Sequence, residues 1–95
     1  MEFVMTIGDV VIIPNGECVI VGGNSEITKY DTSRLCKKGE HIVIKSANED
    51  FEFKVLEIHV SFSMSESVII SIQLEASEKL NYIKQGDFVY RRYEN

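Results

Sequence analysis

Short apolar runs separated by turn residues make up most of this 95-residue chain. Over residues 68–75 apolar and polar side chains alternate, and one face would carry Val68, Ile70, Ile72 and Leu74. A period of two predicts a half-buried β-strand. Similar runs predict five further strands, near residues 5–13, 17–21, 40–46, 51–60 and 88–92. Six short strands without a long helical pattern predict an all-β fold.

Three apolar runs follow the same pair of residues, a glycine and an acid. The pairs are Gly8-Asp9, Gly39-Glu40 and Gly86-Asp87. A glycine at a turn adopts the positive φ that other residues avoid, and the acid can accept a hydrogen bond from the turn's own backbone. Repeated turn-and-strand units are typical of small β-barrels. We therefore expect a six- to seven-stranded antiparallel closed barrel, formed by residues 1–95 as one domain.

The fourth predicted strand changes phase along its length. Its apolar residues form two sets of opposite parity: Phe51, Phe53 and Val55, then Leu56, Ile58 and Val60. A straight strand cannot bury both sets on one side, because successive side chains point to opposite faces. We predict a β-bulge or bend within about two residues of Val55, which would turn a corner of the barrel.

The connections are short, with one exception. Pro14-Asn15-Gly16 predicts a turn between the first two strands, and Ala47–Asp50 a four-residue hairpin loop. Residues 79–83 predict a single helical turn. The exception is the polar segment 24–38, where Thr32–Cys36 predicts a short helical turn.

Composition narrows the class of protein. A hydrophobic content of 44% suits a globular chain, and no apolar run approaches the roughly 18–20 residues of a membrane span. The N-terminus lacks a basic region before its apolar stretch, so we expect a cytoplasmic protein. In that compartment Cys18 and Cys36 would stay reduced. Cys18 lies in an apolar strand and is expected in the core.

Neither charge nor motif points to catalysis. Fifteen acids and ten bases leave a formal net charge of −5, which disfavours general binding to phosphate backbones. The cysteines and histidines form no metal-binding spacing, and His41 and His59 are expected on the outer face. No nucleophile is paired with a base. We expect no enzyme activity, metal or cofactor, and no membrane association.

Candidate partner-binding residues lie at two places. Phe62 and Met64 stand in a serine-rich loop, residues 61–67, and suit interface anchors. The alternative is that Phe62 covers the barrel end. Exposed acids expected to attract a basic partner are Glu49, Asp50, Glu52 and Glu66. Tyr90-Arg91-Arg92-Tyr93 could stack bases and hold phosphates, but we favour an ordinary last strand with alternating faces.

Four stretches give the chain a resemblance to the second, β-barrel domain of elongation factor Tu and other translational GTPases. They are Gly16–Gly22, Leu35–Ile44, Lys54–Ile58 and Tyr82–Val89, within residues 8–92. The resemblance implies a closed barrel. Segment 24–38 is longer than in that family, and Ser63–Ser67 replaces its Ala-Gly-Asp turn. No GxxxxGK[ST] loop occurs, so we expect a stand-alone barrel without the G domain and transfer neither GTPase activity nor a tRNA site.

These observations favour a non-catalytic domain that binds a basic protein. An inhibitor or immunity protein that neutralises a basic partner, such as a nuclease toxin, is the first expectation, because acidic charge speeds such capture. The alternative is a translation-associated factor that contacts the ribosome or tRNA, which the resemblance supports. Nucleic acid binding is the less favoured of the two because of the charge. The oligomeric state is left open.

Overall fold

Six strands and one 3₁₀ helix form the protein in a computed structural model that describes residues 1–27, 35–47, 49–63 and 67–92. The strands are β1 (Glu2–Ile12), β2 (Cys18–Gly23), β3 (His41–Ser46), β4 (Glu49–Phe62), β5 (Val68–Leu74) and β6 (Phe88–Arg91). They close in the order β1-β2-β5-β4-β3-β6, and β6 pairs with β1. All six pairings are antiparallel. The predicted all-β closed barrel is confirmed.

The core fills the barrel from alternate positions on most strands; in β1 the consecutive residues Val4 and Met5 are both fully buried, next to a register shift with β6. In β5 the four expected residues are buried, and in β3 Ile42 and Ile44 are fully buried. Other core residues come from the remaining strands and from the ends of the long connection after β2: Val4, Met5, Ile7, Cys18, Ile20, Ile27, Leu35, Cys36, Phe53, Val55 and Val89. The period-two pattern therefore identified the inward faces correctly.

Strand β4 contains the predicted bulge. Its register with β5 runs from Val55 opposite Leu74 to Glu57 opposite Gln73, which leaves Leu56 as the extra residue. Before the bulge, Phe53 and Val55 are buried. After it, Ile58 and Val60 are half-buried and pack against the core. The phase change thus lets both apolar sets face inward, although the second set is less completely covered.

In β1 the glycine-acid pair Gly8-Asp9 does not form the turn that its sequence predicts. Gly39 and Gly86 have the expected positive φ, 89° and 95°. Gly8 does not begin a turn: it lies inside β1, where the register with β2 shifts between Ile7 and Asp9. Pairing with β2 continues before and after Gly8 and holds β1 extended there, whereas the pairing with β6 ends at Thr6. Tertiary pairing overrode a local turn signal.

Two connections also differ from, or refine, the predictions. Ser46 pairs with Glu49, so the β3–β4 loop has two residues rather than the expected four. The predicted helical turn is a 3₁₀ helix, Glu78–Tyr82, capped by Ser77, whose Oγ accepts a bond from the Lys79 N–H at 3.2 Å. The helical turn expected at 32–36 lies mostly outside the described residues.

Candidate functional site

The two thiols are structural rather than reactive. Cys18 and Cys36 are free and buried, as expected for Cys18. Burial raises the pKa of the Cys18 thiol. Burial, and then the nearby Glu40 carboxylate, raise the pKa of Cys36 to about 11. Because the thiolate is the nucleophile, neither cysteine is prepared for covalent chemistry.

The histidines stand apart on the outside of the barrel. His41 in β3 and His59 in β4 are both exposed, as expected from their parity. His41 lies opposite Lys54, and His59 lies opposite Ser71. Across the described ranges, no three His, Cys, Asp or Glu side chains come together in a group that could hold a metal ion.

The structure does not bring the predicted partner-binding residues together. Met64 and Glu66 lie outside the described residues. Phe62 ends β4, whereas Glu49 and Asp50 begin it and Glu52 follows, all three exposed. A straight strand of this length would span about 40 Å, and the bulge and the coiling of β4 shorten it within a molecule whose longest dimension is 36 Å. One small epitope cannot join Phe62 to the acids at the other end.

Phe62 ends β4 on the inward-facing side of the sheet. It pairs with Val68, whose side chain is buried, so both lie on the inward-facing side of the sheet. At the end of its strand, Phe62 remains 39% exposed. It thus lies at the rim of the barrel, on the side of the core.

A different group of aromatic residues lies on the outer wall. Val89 in β6 is fully buried, so its neighbours Phe88 and Tyr90 point outward. Phe3 of β1 packs edge-to-face against both, with ring centroids 6.1 Å from Phe88 and 5.7 Å from Tyr90. Phe88 is 48% exposed. We call Phe3, Phe88 and Tyr90 the aromatic face.

Charged side chains border the aromatic face. The Lys45 Nζ lies 5.1 Å from the centre of the Tyr90 ring. Lys45 is opposite Phe88 on one side and Asp50 on the other, which places Asp50 two strands, or about 10 Å, from Phe88. Glu52 occupies the next outward position of β4 and forms an exposed ion pair with Arg92. Two of the predicted acids therefore lie beside an aromatic cluster.

Sequence reasoning missed this cluster although part of its signal was visible. Alternation around Val89 was enough to place Phe88 and Tyr90 outward. Phe3 joins them only because β1 pairs with β6. The neighbouring Arg91 points the other way: it lies opposite buried Ile42 and pairs with Glu40 at 3.2 Å. Of the four-residue Tyr-Arg-Arg-Tyr stretch, Tyr93 lies outside the described residues.

Comparison with known proteins identifies no relative of this chain. No family model, no curated protein and no solved structure matches the chain. Within the described residues, none of the helices has the length and apolar character needed to cross a membrane.

Proposed function

We propose that this protein is a non-catalytic binding domain that captures a basic protein partner on its aromatic face. The observation that carries the proposal is the cluster of Phe3, Phe88 and Tyr90 on the outer wall. The core beneath it is already closed, because Val89 and Ile44 are fully buried. Aromatic side chains that the core does not need are typical anchors of protein interfaces.

Charge supports a basic partner. The chain carries a formal net charge of −5, and Asp50 stands exposed at the edge of the face. The Arg92–Glu52 ion pair is exposed on both sides, and such pairs contribute only about 0–1 kcal/mol. A cation of the partner can replace Arg92 there at low cost. Long-range attraction would also raise the association rate.

The biological role that fits is inhibition. An acidic domain with an aromatic anchor can cover the active surface of a basic protein such as a nuclease, as an immunity protein does. The raised thiol pKa values of Cys18 and Cys36 favour such a passive role over nucleophilic catalysis. Two free thiols also agree with residence in the cytoplasm, the compartment that we propose.

The alternative is a translation-associated factor that contacts RNA. Exposed aromatic rings can stack bases, and the resemblance to the second domain of elongation factor Tu points the same way. The acidic charge weighs against it. The formal net charge is −5, and Asp50 and Glu52 stand exposed beside the rings, where they would repel a phosphate backbone. A protein partner therefore remains the better proposal.

A capture experiment with matched variants tests the proposal. Tagged protein is incubated with a lysate of its native host, with and without ribonuclease, and Phe88→Ala is compared with Tyr82→Ala. Tyr82 is a suitable control because it is 64% exposed and lies outside the aromatic face. We expect a basic protein that resists ribonuclease, is retained by Tyr82→Ala and is lost with Phe88→Ala. Recovery of RNA alone, or equal recovery by both variants, would reject the proposal.

A further inference from the structure

A groove of about 500 Å³ lies on the outer wall where β1, β2 and β5 meet. Its lining includes Thr6, Gly8, Val21, Gly23 and Ile69, and these five residues define the glycine groove. Ile69 is 45% exposed on its rim. The groove owes its depth to glycines, which leave backbone where neighbouring positions carry side chains.

The fold does not require the glycine at position 8. Its φ lies outside the left-handed region, and a Cβ added there would meet its nearest neighbour, the Val21 carbonyl oxygen, at an ordinary 3.4 Å. Gly22 is different, because an added Cβ would come within 2.0 Å of the Thr6 carbonyl oxygen. Gly22 is needed for packing. Gly8 keeps an apolar surface open that the backbone would allow to be filled.

The glycine groove continues the aromatic face. Thr6 of β1 pairs with Phe88 on one side and with Gly23 on the other, so one row of outward positions joins them. Beyond Phe88 the same row continues to Lys45 of β3 and then to Asp50 of β4. Four strand spacings separate Gly23 from Asp50, which corresponds to about 19 Å along the wall.

We propose that the glycine groove receives one large apolar side chain of the same basic protein that the aromatic face captures. The inference rests on the proposed function and specifies the chemistry of the partner. A single segment of the partner carries an apolar residue in the groove, contacts Phe88, and places a basic residue at Asp50. In an extended segment, the 19 Å between the two subsites corresponds to about six residues.

A synthetic peptide is the probe for this arrangement. The sequence Leu-Ser-Thr-Ser-Thr-Ser-Arg, acetylated and amidated, places leucine and arginine six residues apart. It is titrated into the isotope-labelled full chain, and amide chemical shifts are followed. We expect shifts at Gly8, Gly23 and Ile69 together with shifts at Phe88 and Lys45. Replacing the leucine by serine should weaken binding about tenfold, because the apolar contact is lost.

Variants of the protein complete the test. Gly8→Val fills the groove and should weaken the leucine peptide about tenfold without affecting the serine peptide. Ile69→Ser, on the exposed rim, serves the same purpose if Gly8→Val does not fold. Shifts confined to Phe88 and Lys45 would overturn the groove but leave the proposed function standing. No shift anywhere on this wall would count against both.

One further outcome is decisive. Shifts at the groove that depend on protein concentration, without peptide, would identify a second copy of the chain as the occupant and overturn the inference.

Discussion

Two aromatic groups on this barrel differ in what lies behind them. Phe51 and Tyr82 stack nearly parallel at the barrel end, with ring centroids 5.7 Å apart and an angle of 11°. Phe51 packs against the core, and the Ser46 Oγ donates a bond to the Tyr82 carbonyl oxygen at 3.3 Å. The aromatic face, Phe3, Phe88 and Tyr90, instead lies over a core that the strands have already closed.

The comparison shows that exposure alone does not identify a binding residue. Tyr82 is 64% exposed and Phe88 only 48%. Yet Tyr82 belongs to the 3₁₀ helix whose Leu80 is buried, and its stack with Phe51 ties that helix to β4. We therefore expect the stacked pair Phe51 and Tyr82 to stabilise the fold and the aromatic face to bind the partner.

The largest expected effect separates the two groups by stability. Phe51→Ala should lower the free energy of unfolding by about 3 kcal/mol, since it removes a large side chain packed on the core. Phe88→Ala should cost about 0.5–1 kcal/mol, because half of its ring is already in water. Denaturant titration of both variants measures the difference. Equal losses of unfolding free energy in the two variants would mean that the aromatic face also stabilises the barrel.

A second prediction tests whether the core around Cys36 is shielded from water. Cys36 is 2% exposed and its pKa is raised to about 11 from a reference of 9.0. A raised pKa means that the folded state keeps its proton longer, so the stabilisation is complete below pH 9 and is lost between pH 9 and 11. A rise in the Cys36 pKa from 9.0 to about 11 corresponds to roughly 3 kcal/mol. Cys36→Ala should lack this part of the pH dependence.

The control for this measurement is the same pair of titrations at pH 7–8, where the thiol is protonated in both states. There the difference between the two proteins should not change with pH. A wild-type curve parallel to that of Cys36→Ala up to pH 11 would contradict a shielded thiol.

The third prediction concerns the aromatic face itself. Phe88→Ala should weaken binding of the captured partner about 30-fold, or about 2 kcal/mol, mostly through faster dissociation. Tyr82→Ala should change the affinity less than twofold. Surface plasmon resonance with the partner from the capture experiment gives both rates. If Tyr82→Ala proves the more damaging variant, the roles assigned to the two groups must be exchanged.

A smaller effect is expected from the stacking geometry. In a double-mutant cycle, Phe51→Leu and Tyr82→Leu should show a coupling energy of about 1 kcal/mol. Phe51→Leu with Phe88→Leu provides the control, because those residues belong to different groups and should couple negligibly. Thermal or denaturant unfolding supplies the four free energies. Additive losses from the first pair would show that the stack does not tie the helix to β4.

The smallest effect is electrostatic. Reversing Glu49 and Asp50 to lysine should slow association about threefold at low salt and change dissociation less, because exposed charges act mainly at a distance. The difference should vanish at high salt. Glu78→Lys with Lys79→Glu keeps the net charge and is the control. Slowing of association that persists at high salt would contradict electrostatic steering.

Much of the fold followed from local patterns. Alternation in β5 and β3 identified the inward residues, and the parity change in β4 located the bulge at Leu56. Gly8 was the failure. Its local sequence matches the turns at Gly39 and Gly86, but pairing with β2 before and after Gly8 holds β1 extended there. Such pairing is not visible in a window of a few residues.

The sequence by itself determined the strands, their inward faces and the acidic charge, because side-chain alternation and composition are local properties. The tertiary structure decided which outward side chains become neighbours. Closing the barrel brings Phe3, near the start of the chain, against Tyr90, near its end. The same closure keeps Phe62 away from Asp50, although both belong to β4. Contacts across a sheet depend on strand order and register, which arise only when the whole chain folds.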